Sequence, residues 1–259
     1  MRLPRLVTAV ASGAVLLAPL TGCGVLSEQR LDFSHVEEVA ITAVTIAPGS
    51  GDVVVRTSPV SNVEIKRIVR YRGEEPGSTY RIEGTTLSID TDCGRRCGVS
   101  YQILAPEGVA VSGENGSGDI ELSDVGEVRV EVGSGDVTVT GATGAVTART
   151  GSGDVTVTDA AGAVTARTGS GSITGRGLGG SEVLAEAGSG SISLTLDTAA
   201  PVSAEASSGD IDLTVPSGGY RVQAEAGSGE VQIGVPDDPA ATTLLRLHTG
   251  SGDITVSQH

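Results

Sequence analysis

A Gly-Ser-Gly-Asp-like turn followed by a short run of Val, Ile, Leu and Thr occurs nine times in this chain, beginning at Gly49, Gly116, Gly133, Gly151, Gly169, Gly188, Ser207, Gly227 and Gly250. The last eight copies are consecutive. The shortest step, Gly116 to Gly133, is 17 residues and the longest, Gly227 to Gly250, is 23. A period this short holds one small supersecondary unit, which cannot bury its own apolar face, so neighbouring units must stack.

Within a unit the side chains alternate. Val137 and Val139 take one strand face while Thr138 and Thr140 take the other, and Val146 and Ala148 then alternate with Thr147 and Arg149. Period two over four to six residues marks a half-buried strand. The tetrad between two such strands is a turn, because glycine supplies positive φ without steric cost and Asp or Ser bonds nearby amides. The expected fold is therefore all-β, a β-solenoid: a single-stranded β-helix-like stack of about 18–20-residue coils. Its eight coils would span about 38 Å at about 4.8 Å each. Aromatic residues are only 2% of the chain, which suits a thin aliphatic core. An antiparallel meander with each tetrad as a hairpin turn is the competing architecture.

The near-identical copies Gly133 to Thr150 and Gly151 to Thr168 differ only at Gly141/Asp159 and Thr143/Ala161. Such duplication argues against a unique active-site pocket there.

The amino terminus indicates export. Arg2 and Arg5 precede an apolar stretch from Leu6 to Leu20, short for a membrane span and shaped like a secretory signal. Leu20-Thr21-Gly22-Cys23 is similar to the bacterial lipobox, which implies lipidation of Cys23 and cleavage before it; an ordinary cleaved signal or a retained anchor is the alternative. Residues 1–22 are thus read as a lipoprotein signal peptide, 23–30 as a lipid-anchored tether, 31–110 as a less regular β cap and 111–259 as the repeat array. The expected location is the outer face of the bacterial cytoplasmic membrane, held through Cys23. Losing residues 1–22 removes two arginines and no acids, so the formal charge moves from −15 to −17. That balance disfavours nucleic acid as a partner, since phosphate recognition needs a basic footprint.

Cys93 and Cys97 remain after export. In an oxidising compartment they are expected to form a disulfide, with free thiols, a redox pair or a metal site as alternatives. The cap carries the strand signals Val39 to Ile46, Val53 to Val55, Val63 to Tyr71, Tyr80 to Ile82, Leu87 to Ile89 and Tyr101 to Leu104, together with four of the five aromatic residues.

The order Gly51-Asp-Val-Val-Val55, Val63-Glu-Ile-Lys66, Leu87-Ser-Ile89 and Tyr101 to Gly108, running into serial Ser-Gly-Asp-Ile/Val turns, resembles the bacterial putative-adhesin family, a β-strand repeat domain of unknown function. The resemblance spans about Val39 to the carboxyl terminus. It implies a β-solenoid and carries over no catalytic residue.

Stacking in sequence order predicts two ladders. Two residues before each tetrad stand Glu114, Glu131, Arg149, Arg167, Glu186, Glu205, Glu225 and His248, all expected outward. Glu131 beside Arg149 and Arg167 beside Glu186 should pair, and Glu186, Glu205 and Glu225 should form a like-charge run; the column is either a solvated face or a strip for a cation or basic ligand. The fourth tetrad position gives Asp119, Asp136 and Asp154, with Ser172, Ser191, Asp210, Glu230 and Asp253 beyond and Asp52 in the isolated first copy. These aspartates cap backbone amides or, as the weaker alternative, bind calcium. Gly175-Arg-Gly-Leu-Gly-Gly180 opens no helix and reads as a turn between coils, not a dinucleotide site.

Three scattered histidines and periodic acids offer neither a nucleophile–base set nor paired carboxylates in a cleft. The chain is read as no enzyme and without a cofactor: an adhesin-like surface lipoprotein that binds or spaces a protein or glycan partner. The alternative is an envelope-stress or signalling accessory, with a calcium-binding β-roll or a glycan-active enzyme ranked below it.

Overall fold

The computed structural model describes residues 28–259, so Cys23 and the signal segment lie outside the described residues. The chain begins with β1 (Gln29–Glu37), β2 (Ala43–Ala47), β3 (Val53–Ser58), β4 (Val63–Tyr71), β5 (Tyr80–Glu83), β6 (Thr86–Asp90) and β7 (Cys97–Pro106). Two strands per coil follow: β8 (Ala110–Ser117) and β9 (Ile120–Ser123), β10 (Val128–Ser134) and β11 (Val137–Thr140), β12 (Val146–Ser152) and β13 (Val155–Thr158). Next come β14 (Val164–Ser170) and β15 (Ile173–Leu178), β16 (Val183–Ser189) and β17 (Ile192–Leu196), β18 (Val202–Ser208) and β19 (Ile211–Val215). The chain ends with β20 (Arg221–Ser228), β21 (Val231–Ile233), β22 (Leu244–Ser251) and β23 (Ile254–Gln258). Among the described residues there is no helix.

The tetrads work as corners because of their glycines. Gly153, the third tetrad residue, sits at φ +143, and a methyl there would run into the carbonyl oxygen of Gly135 one coil below. Both the backbone sign and the close stacking therefore require glycine. The opposite corner has the same demand at Asp124 (φ 59), Gly141 (φ 71), Asp159 (φ 54) and Gly177 (φ 62). Asp and Gly are residue types that tolerate the left-handed region, which explains why Gly141 and Asp159 exchange between two otherwise matched copies.

Two sheets result. One runs β1, β4, β7, β3, β9, β11, β13, β15, β17, β19, β23, β21; the facing one runs β5, β6, β2, β8, β10, β12, β14, β16, β18, β22, β20. Coil-to-coil pairing is parallel and in register, as at Val137↔Val155 and Val146↔Val164, so the meander is not the architecture. Only β1–β4, β4–β7 and β5–β6 pair antiparallel, and these strands close the amino-terminal end. Columns of Val, Ile, Leu and Ala from the two inner faces make the core. In β15, Gly175 leaves the slot that the Leu178 side chain fills, with a register shift between them. The Gly175 to Leu178 segment is thus a bulged strand with the corner at Gly177 inside it, in place of the expected simple turn between coils.

The spatial order of coils departs from the sequence at both ends. The isolated Gly49 copy is not isolated: β2 and β3 pair directly with β8 and β9, and the β6/β7 coil stacks outside them. At the other end the last coil, β22/β23, lies between β18/β19 and β20/β21. The coil holding Gly227, not the one holding Gly250, is therefore the exposed end of the rod.

Candidate functional site: the ladders of the rod

The tetrad side of the rod carries side-chain-to-amide hydrogen bonds that follow the spatial order. Asp52 Oδ1 accepts the Asp119 amide (3.2 Å), Asp119 Oδ1 the Asp136 amide (2.9 Å), Asp136 Oδ1 the Asp154 amide (2.8 Å) and Asp154 Oδ1 the Ser172 amide (2.7 Å). Beyond, Asp210 accepts from Asp253 and Asp253 from Glu230, each at 2.8 Å, in agreement with the permuted coil order. Backbone donors thus offset the repulsion between stacked carboxylates. Among the described residues no group of three or more His, Cys, Asp or Glu is placed to hold a metal ion.

Behind the corner lies a second ladder that the sequence reading missed. The buried hydroxyls of Thr150, Thr168 and Thr249 donate to the carbonyl oxygens of Gly135, Gly153 and Gly209 at 2.8–2.9 Å, and Asn115 Nδ2 donates to Gly51 O at 2.9 Å. Their signal was a polar residue immediately before a tetrad, at an inward position of the alternation.

The outward column of the second sheet runs Glu114, Glu131, Arg149, Arg167, Glu186, Glu205, His248, Glu225 in register. Arg167 Nη2 is 3.0 Å from Glu186 Oε1, as expected. Glu131 and Arg149 are cross-strand partners, yet among the described residues Arg149 has no ion pair. The expected Glu186, Glu205, Glu225 run is broken, because the inserted last coil puts His248 between Glu205 and Glu225. Beside the column a shallow groove of ≈ 490 Å³ extends from Glu131 to Glu205 over Gly151, Gly169 and Gly188.

The amino-terminal cap holds different chemistry. Arg67 is 6% exposed, with its guanidinium 4.6 Å from the Phe33 ring centre and Nη1 donating to Gly77 O and Thr79 Oγ1. Tyr101 donates to Thr79 O at 2.6 Å, and burial pushes its phenol up to about 12. Burial, then the hydrogen bond to Glu37, raises that of Tyr80. Cys93 and Cys97 are joined by a disulfide, Cα atoms 5.2 Å apart, where β7 begins. These groups plug the end of the core and share no cleft with the charge column.

The parallel coils and glycine corners define a two-sheet β-solenoid. The Toastrack DUF4097 model matches residues 102–257, and the chain belongs to that family. A solved structure described as a putative adhesin from Bacteroides fragilis shares the fold at TM-score 0.53 and 12% identity, covering 88% of this chain and 97% of that one. A putative adhesin from Parabacteroides merdae is similar at 11% identity, 89% and 96% coverage and TM-score 0.46. A putative cell adhesion protein from Clostridium sporogenes is similar at 12% identity, 89% and 100% coverage and TM-score 0.38. No curated protein matches the chain.

Proposed function

We propose that this chain is a non-catalytic surface lipoprotein whose rod binds or spaces a protein or glycan partner at the bacterial envelope. The observation that carries the reading is the outward charge column: its ionisable groups recur coil after coil as a continuous strip along the rod, a geometry for contacting an extended surface rather than one reacting bond. The Leu-Thr-Gly-Cys23 segment supports a lipid anchor, and the adhesin descriptions of similar structures support a contact role. The β1 strand begins at Gln29, so five residues separate it from Cys23, a reach of at most about 20 Å. Such an anchor holds the capped end near the membrane and points the other end away.

Two experiments test this. Labelled palmitate should enter the wild-type protein in its native envelope and fail to enter Cys23→Ser. Crosslinking in that envelope should capture a surface protein or wall glycan; capture of a single membrane kinase or regulator would instead establish the signalling accessory.

A further inference from the structure

In spatial order the central four residues of the outward column, Arg149, Arg167, Glu186 and Glu205, are antisymmetric in charge. Reversed about the midpoint between Arg167 and Glu186, this centre becomes its own complement: Arg167 meets Glu186 and Arg149 meets Glu205, while Glu131 meets His248 beyond them. Sequence order would keep the two arginine–glutamate pairs but set Glu131 against Glu225; the insertion of β22/β23 below β20/β21 puts His248 there instead and moves the Glu–Glu contact to the outermost row.

We propose that this face binds a second copy of the chain, the two rods lying face to face and antiparallel about a twofold axis that runs along the strand direction. Such an axis reverses the rod while leaving position along each strand unchanged, so the column falls on itself and each contact is made twice. Arg149, which has no ion pair among the described residues, gains Glu205 of the second copy. The side chains flanking the column do not stand in the way. Thr147, Thr165, Leu184 and Ser203 lie on one side, and Gly151, Gly169 and Gly188 on the other. Like charges meet only in the outer rows, Glu114 with Glu225 and Arg129 with Arg246; Arg129 has Glu127 3.7 Å away.

Six coils by five residues cover about 29 Å by about 17 Å. Counting both rods this is about 1,000 Å², the lower bound for a specific interface. Pairing is therefore weak, concentration-dependent and salt-sensitive. Antiparallel pairing also sends the two amino-terminal ends apart. On the lipoprotein reading, on which this consequence rests, upright rods join copies on facing membranes rather than neighbours on one.

The test is sedimentation equilibrium of the mature chain carrying Cys23→Ser, which keeps it in solution. Wild-type charge should give a monomer–dimer equilibrium at low salt that weakens tenfold or more at high salt. Arg149→Glu and Glu205→Arg should each weaken it at least tenfold, and the double variant should restore it. The two positions are three coils apart, about 14 Å within one rod, so restoration cannot be intramolecular. Glu205→Gln, with thermal melts confirming the fold, should fall between wild type and Glu205→Arg. A monomer at every concentration and salt, or a double variant no better than the single ones, overturns the inference. Neither outcome touches the surface-lipoprotein reading, which palmitate labelling and native crosslinking decide separately.

Discussion

His248 stands between Glu205 and Glu225, in cross-strand register with both. The chain leaves β19, passes over one coil position to build β20 and β21, and returns through residues 234–243 to lay β22 and β23 in the gap. Tyr220, fully buried, helps to lock the detour: its carbonyl accepts the Asp238 amide (2.8 Å) while Asp237 Oδ1 accepts the Val222 amide (3.0 Å).

Hydrogen exchange reads this order directly. The amides of Leu245 to Leu247, in a strand flanked on both sides, should exchange more slowly than those of Val231 to Ile233, whose strand is a sheet edge. Equal or reversed protection would mean that the coils follow the sequence.

Glycine at the third tetrad position should be irreplaceable in mid-rod. Gly153→Ala combines a positive φ with a collision against the Gly135 carbonyl, and should cost more than about 3 kcal/mol or prevent folding. Gly73→Ala shares the positive φ but meets open space, so it should cost about 1 kcal/mol. Urea denaturation compares the two.

The aspartate ladder should act through backbone amides. Asp136→Ala leaves the Asp154 amide without its acceptor and should lower stability by about 1 kcal/mol. Calcium should leave the melting temperature of the wild type unchanged. A rise of many degrees that Asp136→Ala abolishes would make the ladder a calcium site.

Replacing Thr150 by Val keeps the shape of a buried side chain but removes the donor to Gly135 O, for a loss of about 1 kcal/mol. Urea midpoints measure it, and a stabilised variant would show that the inner ladder is dispensable.

Stability should fall at alkaline pH through Tyr101. Its phenol is raised from 10.0 to about 12 by burial, so the folded state holds its proton more tightly than the unfolded state. That contribution is fully present below pH 10 and is lost as pH rises through about 12, up to about 3 kcal/mol. Tyr101→Phe should flatten this part of the stability–pH curve.

Much of the site was legible in local pattern. The inward and outward assignment of Arg149, Arg167 and Glu186 follows from strict alternation, and the Arg167–Glu186 pair follows from adjacent copies. The strand β1 was not legible: Leu31 to Glu37 is short on the β-branched and aromatic residues that mark strands, and it forms because β4 offers an open edge. The inner threonine ladder was missed because threonine reads equally well as an outward strand residue.

The repeat by itself determined the coil: two short strands, glycine corners, an aliphatic interior and the side each residue faces. It did so because those properties depend on period-two geometry and on backbone signs, which are local. Only the tertiary structure decided which coil rests on which, that the Gly49 copy lies against the Gly116 copy, and that His248 separates two glutamates. Similar coils present nearly interchangeable edges, so their order is set by connection lengths and by the contacts that close each end, and neither is written in the repeat.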